Sequence, residues 1–170
     1  MKAKILFFLL SFIIVTFTHV KAEQLDQIEI NGNERISSET IMMFSDVNKN
    51  MPIDQISLNL ILKNLYDTNF FQNVDVKLID KKLVINVIEN PLIEKINYNG
   101  FKAKKIREAA LDNLILKPRS SYNEYFLSQD IDRIVSNLRD LGYFFAEINT
   151  SIIKLSENKI NINFDINIGE

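Results

Sequence analysis

Ile28-Glu29-Ile30-Asn31-Gly32-Asn33 returns as Ile96-Asn97-Tyr98-Asn99-Gly100-Phe101, and Asn64-Leu65-Tyr66-Asp67-Thr68-Asn69-Phe70-Phe71 returns as Asn137-Leu138-Arg139-Asp140-Leu141-Gly142-Tyr143-Phe144. The offsets are 68 and 73 residues. A period of that size exceeds a solenoid repeat and approaches the smallest independent domain, so the sequence predicts two tandem units, 23–90 and 91–170, each with its own core.

Working outward from the first repeat, Ile28 and Ile30 alternate with polar neighbours as a short strand ended by Gly32. A brief helix follows, capped by Ser37 or Ser38 ahead of Ile41 and Phe44 and closed by the turn-prone stretch 48–52. Asp54 is placed to cap a second helix in which Leu58, Ile61, Leu62 and Leu65 recur at helical spacing. Val74, Val76 and Leu78 alternate with Asp75 and Lys77 as a strand. Asp80-Lys81-Lys82 turns the chain into Leu83 to Ile88, whose nearly unbroken apolar run suits a strand flanked on both sides.

The second unit repeats the order: a strand at Ile96 and Tyr98, a helix from Ala103 to Leu114, a break at Lys117-Pro118-Arg119, then a long helix. Its apolar stripe is Leu127, Ile131, Ile134, Val135, Leu138 and Leu141, stopped by Gly142. The repeat offset widens here by about one helical turn, which keeps that stripe in register. Ala146 to Leu155 and Lys159 to Ile168 form the closing hairpin, with Ile160, Ile162, Phe164, Ile166 and Ile168 alternating with polar residues. The expected fold class is therefore α+β: each unit is β-α-α-β-β, a three-stranded sheet covered on one face by two helices.

Residues 1–22 carry Lys2 and Lys4, an apolar run from Ile5 to Phe17, and small residues before a cleavage point after Ala22, the pattern of a secretory signal. The apolar run is shorter than the roughly 20 residues of a membrane-spanning helix. Three of the 20 basic residues, Lys2, Lys4 and Lys21, lie in this leader, leaving 17 against 22 acidic residues and a net charge of −5. Bulk charge therefore argues against nucleic-acid binding. The chain has no cysteine, and its single histidine, His19, lies in the leader, so imidazole-based triads, His metal sites and the usual general base are missing beyond it. Asp130 and Asp132 stand two apart on the long helix and do not share a face, so they read as solvated surface charge. The four glycines are scattered singly and form no phosphate loop. The expectation is a non-enzyme with no catalytic, metal or cofactor residues.

The Gly-ended first strand, the Leu65-Tyr66-x-x-x-Phe70-Phe71-x-Asn73-Val74 passage and the junction Glu89-Asn90-Pro91-Leu92-Ile93-Glu94-Lys95-Ile96 resemble the first two POTRA domains of the BamA family, the outer-membrane protein assembly factors of Gram-negative bacteria. The resemblance covers essentially all of residues 25–170. It implies a periplasmic domain array leading to an outer-membrane β-barrel, with further repeats and the barrel missing after Gly169-Glu170. It also implies unfolded outer-membrane β-barrel precursors and accessory lipoproteins of the assembly complex as partners. TamA-like and two-partner secretion transporters are close variants. A stand-alone periplasmic interaction protein such as the division protein FtsQ fits less well, because it would need an anchor and normally one such domain.

In the family's strand order the third strand is central, so the second strand of each unit is an edge. Asn73, Val74, Asp75, Val76, Lys77 and Leu78 in one unit, and Glu147, Ile148, Asn149, Thr150, Ser151 and Ile152 in the other, would offer unpaired backbone groups to an extended client by strand addition. Asp75, Lys77 and Glu147 are also the charges that blunted edges carry, so both readings stand. Phe70, Phe71, Tyr143, Phe144 and Phe145, where a helix enters a strand, are expected in the core. Lys102, Lys104, Lys105 and Arg107 read as a solvated cationic face. Asn90 and Pro91 read as an interdomain hinge, with Pro91 holding the residue before it extended.

Overall fold

The repeat of Gly32 at Gly100 has a steric cause that recurs in both halves of the computed structural model, which describes residues 23–48 and 52–169. Both glycines have positive φ, 81° and 100°. A Cβ at Gly32 would stand 2.1 Å from the carbonyl oxygen of Val87, and one at Gly100 would stand 1.8 Å from that of Ile166. Each first strand therefore ends with its bare backbone against the same point of the central strand, where no other residue fits.

In the first unit, β2 (Gln27–Asn31) leads to α1 (Ser38–Ser45), α2 (Gln55–Asp67), β4 (Phe71–Ile79) and β5 (Lys82–Glu89). The sheet order is β2-β5-β4, with β5 parallel to β2 and antiparallel to β4. In the second, β6 (Leu92–Asn99), α3 (Lys104–Ala110), α4 (Glu124–Asp140), β7 (Glu147–Lys154) and β8 (Lys159–Asn167) give β6-β8-β7 with the same orientations. The third strand is central in both, as expected. A small antiparallel pair, β1 (Glu23–Gln24) with β3 (Pro52–Ile53), is an addition to the first unit that the pattern did not announce.

Local chemistry sets the helix boundaries. The Ser37 side chain accepts the Thr40 amide, Asp54 accepts that of Ser57 at 2.8 Å, and Asn123 caps α4 by accepting that of Tyr125 at 2.9 Å. Gly142, at φ 93°, ends α4 while the Tyr143 amide reaches back to the Leu138 carbonyl.

Three expectations are corrected here. The helix expected over Ala103–Leu114 stops at Ala110, because Asn113 turns left-handed and the Ile115 and Leu116 amides are drawn to the Asp130 carboxylate at 2.7 and 2.9 Å. Asp130 is accordingly fully buried and not part of a solvated surface. Leu141 lies past the end of α4 and is exposed rather than on the buried stripe.

Two separate cores follow. Leu83, Ile85 and Val87 of β5 pack with Ile41, Ile61 and Leu65 of the helices; Ile160, Ile162, Phe164 and Ile166 of β8 pack with Ala110, Leu127, Ile134 and Leu138. The outer sheet faces carry matched amide contacts, Asn31 to Asn86 at 3.1 Å and Asn99 to Asp165 at 2.9 Å. The strand 83–88 is flanked by a strand on each side but covered on one face only, which leaves Ile88 exposed.

Candidate peptide-docking edges

β4 and β7 are the antiparallel edges of the two sheets, and all twelve candidate edge residues lie on them: Asn73 to Leu78 on β4, and Glu147 to Ile152 on β7. The direction of their amides is set by local hydrogen bonds. At the end of β7 the Leu155 amide donates inward to the Lys159 carbonyl at 2.8 Å. Amides alternate along an antiparallel strand, so those of Asn149, Ser151 and Ile153 also point to β8, and those of Ile148, Thr150, Ile152 and Lys154 point outward. On β4 the Val74 amide points away from β5 and donates to the Tyr66 hydroxyl at 3.1 Å, which places the Val76 and Leu78 amides outward as well.

The two edges differ in how they are closed. Tyr66, from the last turn of α2, takes the outward Val74 amide of β4, leaving those of Val76 and Leu78 without a side-chain partner among the described residues, and also donates to the Asn73 side chain at 3.2 Å. Further along, Lys77 pairs with Asp75 at 2.8 Å. The Lys77 ammonium and the Asn86 amide hold the Asp75 carboxyl below its ordinary range. Among the described residues no side chain takes the outward amides of Ile148, Thr150 or Ile152. Ile148, Thr150 and Ile152 stand opposite Ile166, Phe164 and Ile162 on the helix side of the sheet, yet Ile152 remains 41% exposed.

The junction brings the edges into one groove. A cavity of about 490 Å³ is lined by Tyr66 and Gln72 from the start of β4 and by Ile152 and Lys154 from the end of β7, with Asn90 and Tyr122 between them. Asn90 is buried, its amide bound to the Phe70 carbonyl and its side chain to that of Asn69. The Asn123 side chain reaches Asn69 at 3.0 Å, that of Asn158 reaches the Glu89 carbonyl at 3.1 Å, and Arg35 contacts Ser121 at 3.4 Å. Behind them the Glu89 carboxylate, 2% exposed, accepts the Glu34, Arg35 and Ile36 amides through one oxygen and faces the Arg35 guanidinium with the other. Asn90 and Pro91 thus sit in a packed joint.

The aromatic cluster divides. Phe71 is buried, and Phe70 and Tyr143 pack against the two cores, but Phe144 and Phe145 are 68% and 83% exposed, which corrects their expected burial. Ala146 and Tyr143 occupy the inward positions in that loop. Lys102, Lys104, Lys105 and Arg107 are all exposed, with Lys104 3.7 Å from Glu108. The cleavage point after Ala22 lies outside the described residues. No helix among the described residues is long and apolar enough to cross a membrane, and no cluster among them has the composition of a metal site. The alternation that fixed the edge strands could not reveal the closing role of Tyr66, whose hydroxyl reaches Val74 from eight residues away.

Residues 91–169 match the family described as POTRA, surface antigen variable number repeat. The chain is 25% identical over 150 residues to the outer membrane protein assembly factor BamA of Neisseria meningitidis serogroup B, covering 86% of this chain and 19% of that protein. It is 25% identical over 142 residues to BamA of Neorickettsia risticii, covering 83% and 19%. The chain thus spans about one fifth of the length of these relatives. Among solved structures, the N-terminal domain of Omp85 from Thermosynechococcus elongatus superposes with a TM-score of 0.53 at 13% identity, over 84% of this chain and 62% of that one. The second unit thus matches the POTRA family, and the fold spanning both units is shared with the Omp85 N-terminal domain.

Proposed function

We propose, from the premise that this chain is a tandem of POTRA domains related to those of BamA, that it works in the periplasm as part of an outer-membrane protein assembly factor, holding unfolded β-barrel precursors by strand addition. The observation that carries this is the outward amides of Ile148, Thr150 and Ile152, which no side chain among the described residues occupies. A barrel precursor is a polypeptide of alternating apolar and polar residues whose backbone groups must be paired before it enters lipid. An open strand edge pairs them without reading a particular sequence. The groove past Ile152 and Lys154 gives an added strand a floor at the junction. In the same proposal the outer faces of the units meet accessory lipoproteins, and Asn90-Pro91 is the joint about which the units adjust once the side-chain contacts across it open.

The test is a pair of proline substitutions on neighbouring residues. Thr150→Pro removes an outward donor and spares the ladder to β8, whereas Asn149→Pro removes an inward one. Titrated with a peptide from a barrel strand, Thr150→Pro should keep its circular dichroism spectrum and lose binding. Asn149→Pro should lose structure in the second unit. A folded Thr150→Pro variant that binds as tightly as the parent overturns the proposal.

A further inference from the structure

A second cavity, of about 660 Å³, lies between the units away from both strand edges. Its walls are α1 with the loop before it and the loop after α2 in the first unit, and Leu92 at the start of β6, the loop 115–121 and the start of α4 in the second. Phe44 and Phe70, with ring centroids 5.5 Å apart, face it together with Ile115 and Phe126. Its charged lining is Arg35 and Arg119, and no acidic side chain contributes to it. This is unexpected in a sequence that carries an excess of acids beyond its leader. Arg35 is engaged by Glu89 at 3.5 Å, so Arg119 supplies the uncompensated charge. Its backbone is fixed by the bond from its amide to the Ile93 carbonyl at 2.7 Å.

We infer that this cleft binds a single-chain anionic amphiphile, a long-chain carboxylate, with its head on Arg119 and its apolar arm against Phe44, Phe70 and Phe126. The volume falls within the range of small-ligand sites, roughly 300–1,000 Å³. A lone guanidinium at the rim of an apolar cleft suits one carboxylate, which it engages by charge-assisted hydrogen bonds. The one strand in the walls is β6 at Leu92, and its edge there is already taken by the loop 119–122, through the Arg119 amide on the Ile93 carbonyl, the Ile93 amide on the Ser120 carbonyl and the Tyr122 amide on the Pro91 carbonyl. An extended peptide would therefore find no free strand edge to pair with. The occupant therefore differs in kind from the client of β7, and the inference stands independently of that proposal.

Calorimetric titration of residues 23–170, which hold both hydrophobic cores, with dodecanoate below its micellar concentration should give one saturable site per chain. Neutral decyl glucoside should bind at least about tenfold more weakly, as should dodecanoate to Arg119→Gln, the loss expected for a hydrogen bond to a charged group. Lys117→Gln, a neighbouring cation outside the cleft, should bind like the parent. Circular dichroism reports whether each variant is folded. Absence of saturation, equal binding by a folded Arg119→Gln variant, or an equal loss in Lys117→Gln overturns the inference. So does attachment to phosphatidylglycerol vesicles that is tighter than dodecanoate binding and insensitive to Arg119→Gln, since that would be attraction of the protein surface to a membrane.

Discussion

β4 and β7 occupy the same position in two copies of one fold, yet a side chain closes the start of the first edge and none among the described residues closes the second. On β4 the Tyr66 hydroxyl takes the Val74 amide and Asp75 pairs with Lys77; on β7 the outward amides have no such partner. The repeat pairs Tyr66 with Arg139, a residue whose chain ends in donors alone and cannot accept an amide. Duplication thus preserved the scaffold while side chains at equivalent positions set one edge apart from the other.

The largest expected effect tests the shared scaffold. Gly100→Ala places a Cβ 1.8 Å from the Ile166 carbonyl oxygen at a φ of 100°, and should cost the second unit about 4 kcal/mol or more. Gly32→Ala should do the same to the first. Amide exchange read unit by unit should show each substitution unfolding its own half first; identical loss of protection in both halves from either variant would mean that the units do not have separate cores.

Leu138, fully buried at the centre of the second core, should cost about 2–5 kcal/mol as Leu138→Ala, while Asp140→Ala on the exposed side of the same helix should cost little. Equal urea midpoints would refute the stripe. A pH effect distinguishes the units more gently. Burial, with Asp130 adding to it, pushes the Tyr98 hydroxyl up to about 12, whereas its counterpart Ile30 has nothing to ionise. The folded state binds that proton more tightly than the unfolded chain, so the contribution is whole below about pH 10 and is lost as pH rises from there through 12. Tyr98→Phe should flatten the alkaline fall in stability of the second unit and leave the first unchanged.

Much of this scaffold was legible because periodicity and caps act locally. Alternation in 160–168, the caps at Ser37 and Asp54, and the two glycines each state their own structure within a few residues. What escaped depends on distant partners. Spacing alone showed that Asp130 and Asp132 do not share a helix face, but not that the loop 115–116 would fold back onto one of them. Phe144 and Phe145 look like core because aromatics near a strand start usually are, yet the turn after Gly142 assigns the inward places to Tyr143 and Ala146. The direction of each edge amide was equally hidden: strand alternation offers two sets, and a single bond from Leu155 to Lys159 chooses between them.

A smaller change should make β4 resemble β7. Tyr66→Phe removes the hydroxyl that accepts the Val74 amide, and because that strand edge lies at the surface the stability change should stay within about 1 kcal/mol. If closure by Tyr66 separates the two edges, a barrel-strand peptide should gain measurable binding at β4 in this variant, seen as shifts of the Val74 and Val76 amides. Unchanged amides on peptide addition would show that something other than this hydroxyl keeps β4 closed.

The most direct measurement is residue-resolved amide exchange on the parent chain with and without a saturating barrel-strand peptide. Strand addition at the open edge predicts that protection rises at Thr150 and Ile152, while Asn149 and Ser151, already bonded to β8, change little and Val74 keeps its present value. Protection rising instead at Val74 and Val76, or no change at Thr150 and Ile152 while the peptide is bound, would contradict the account.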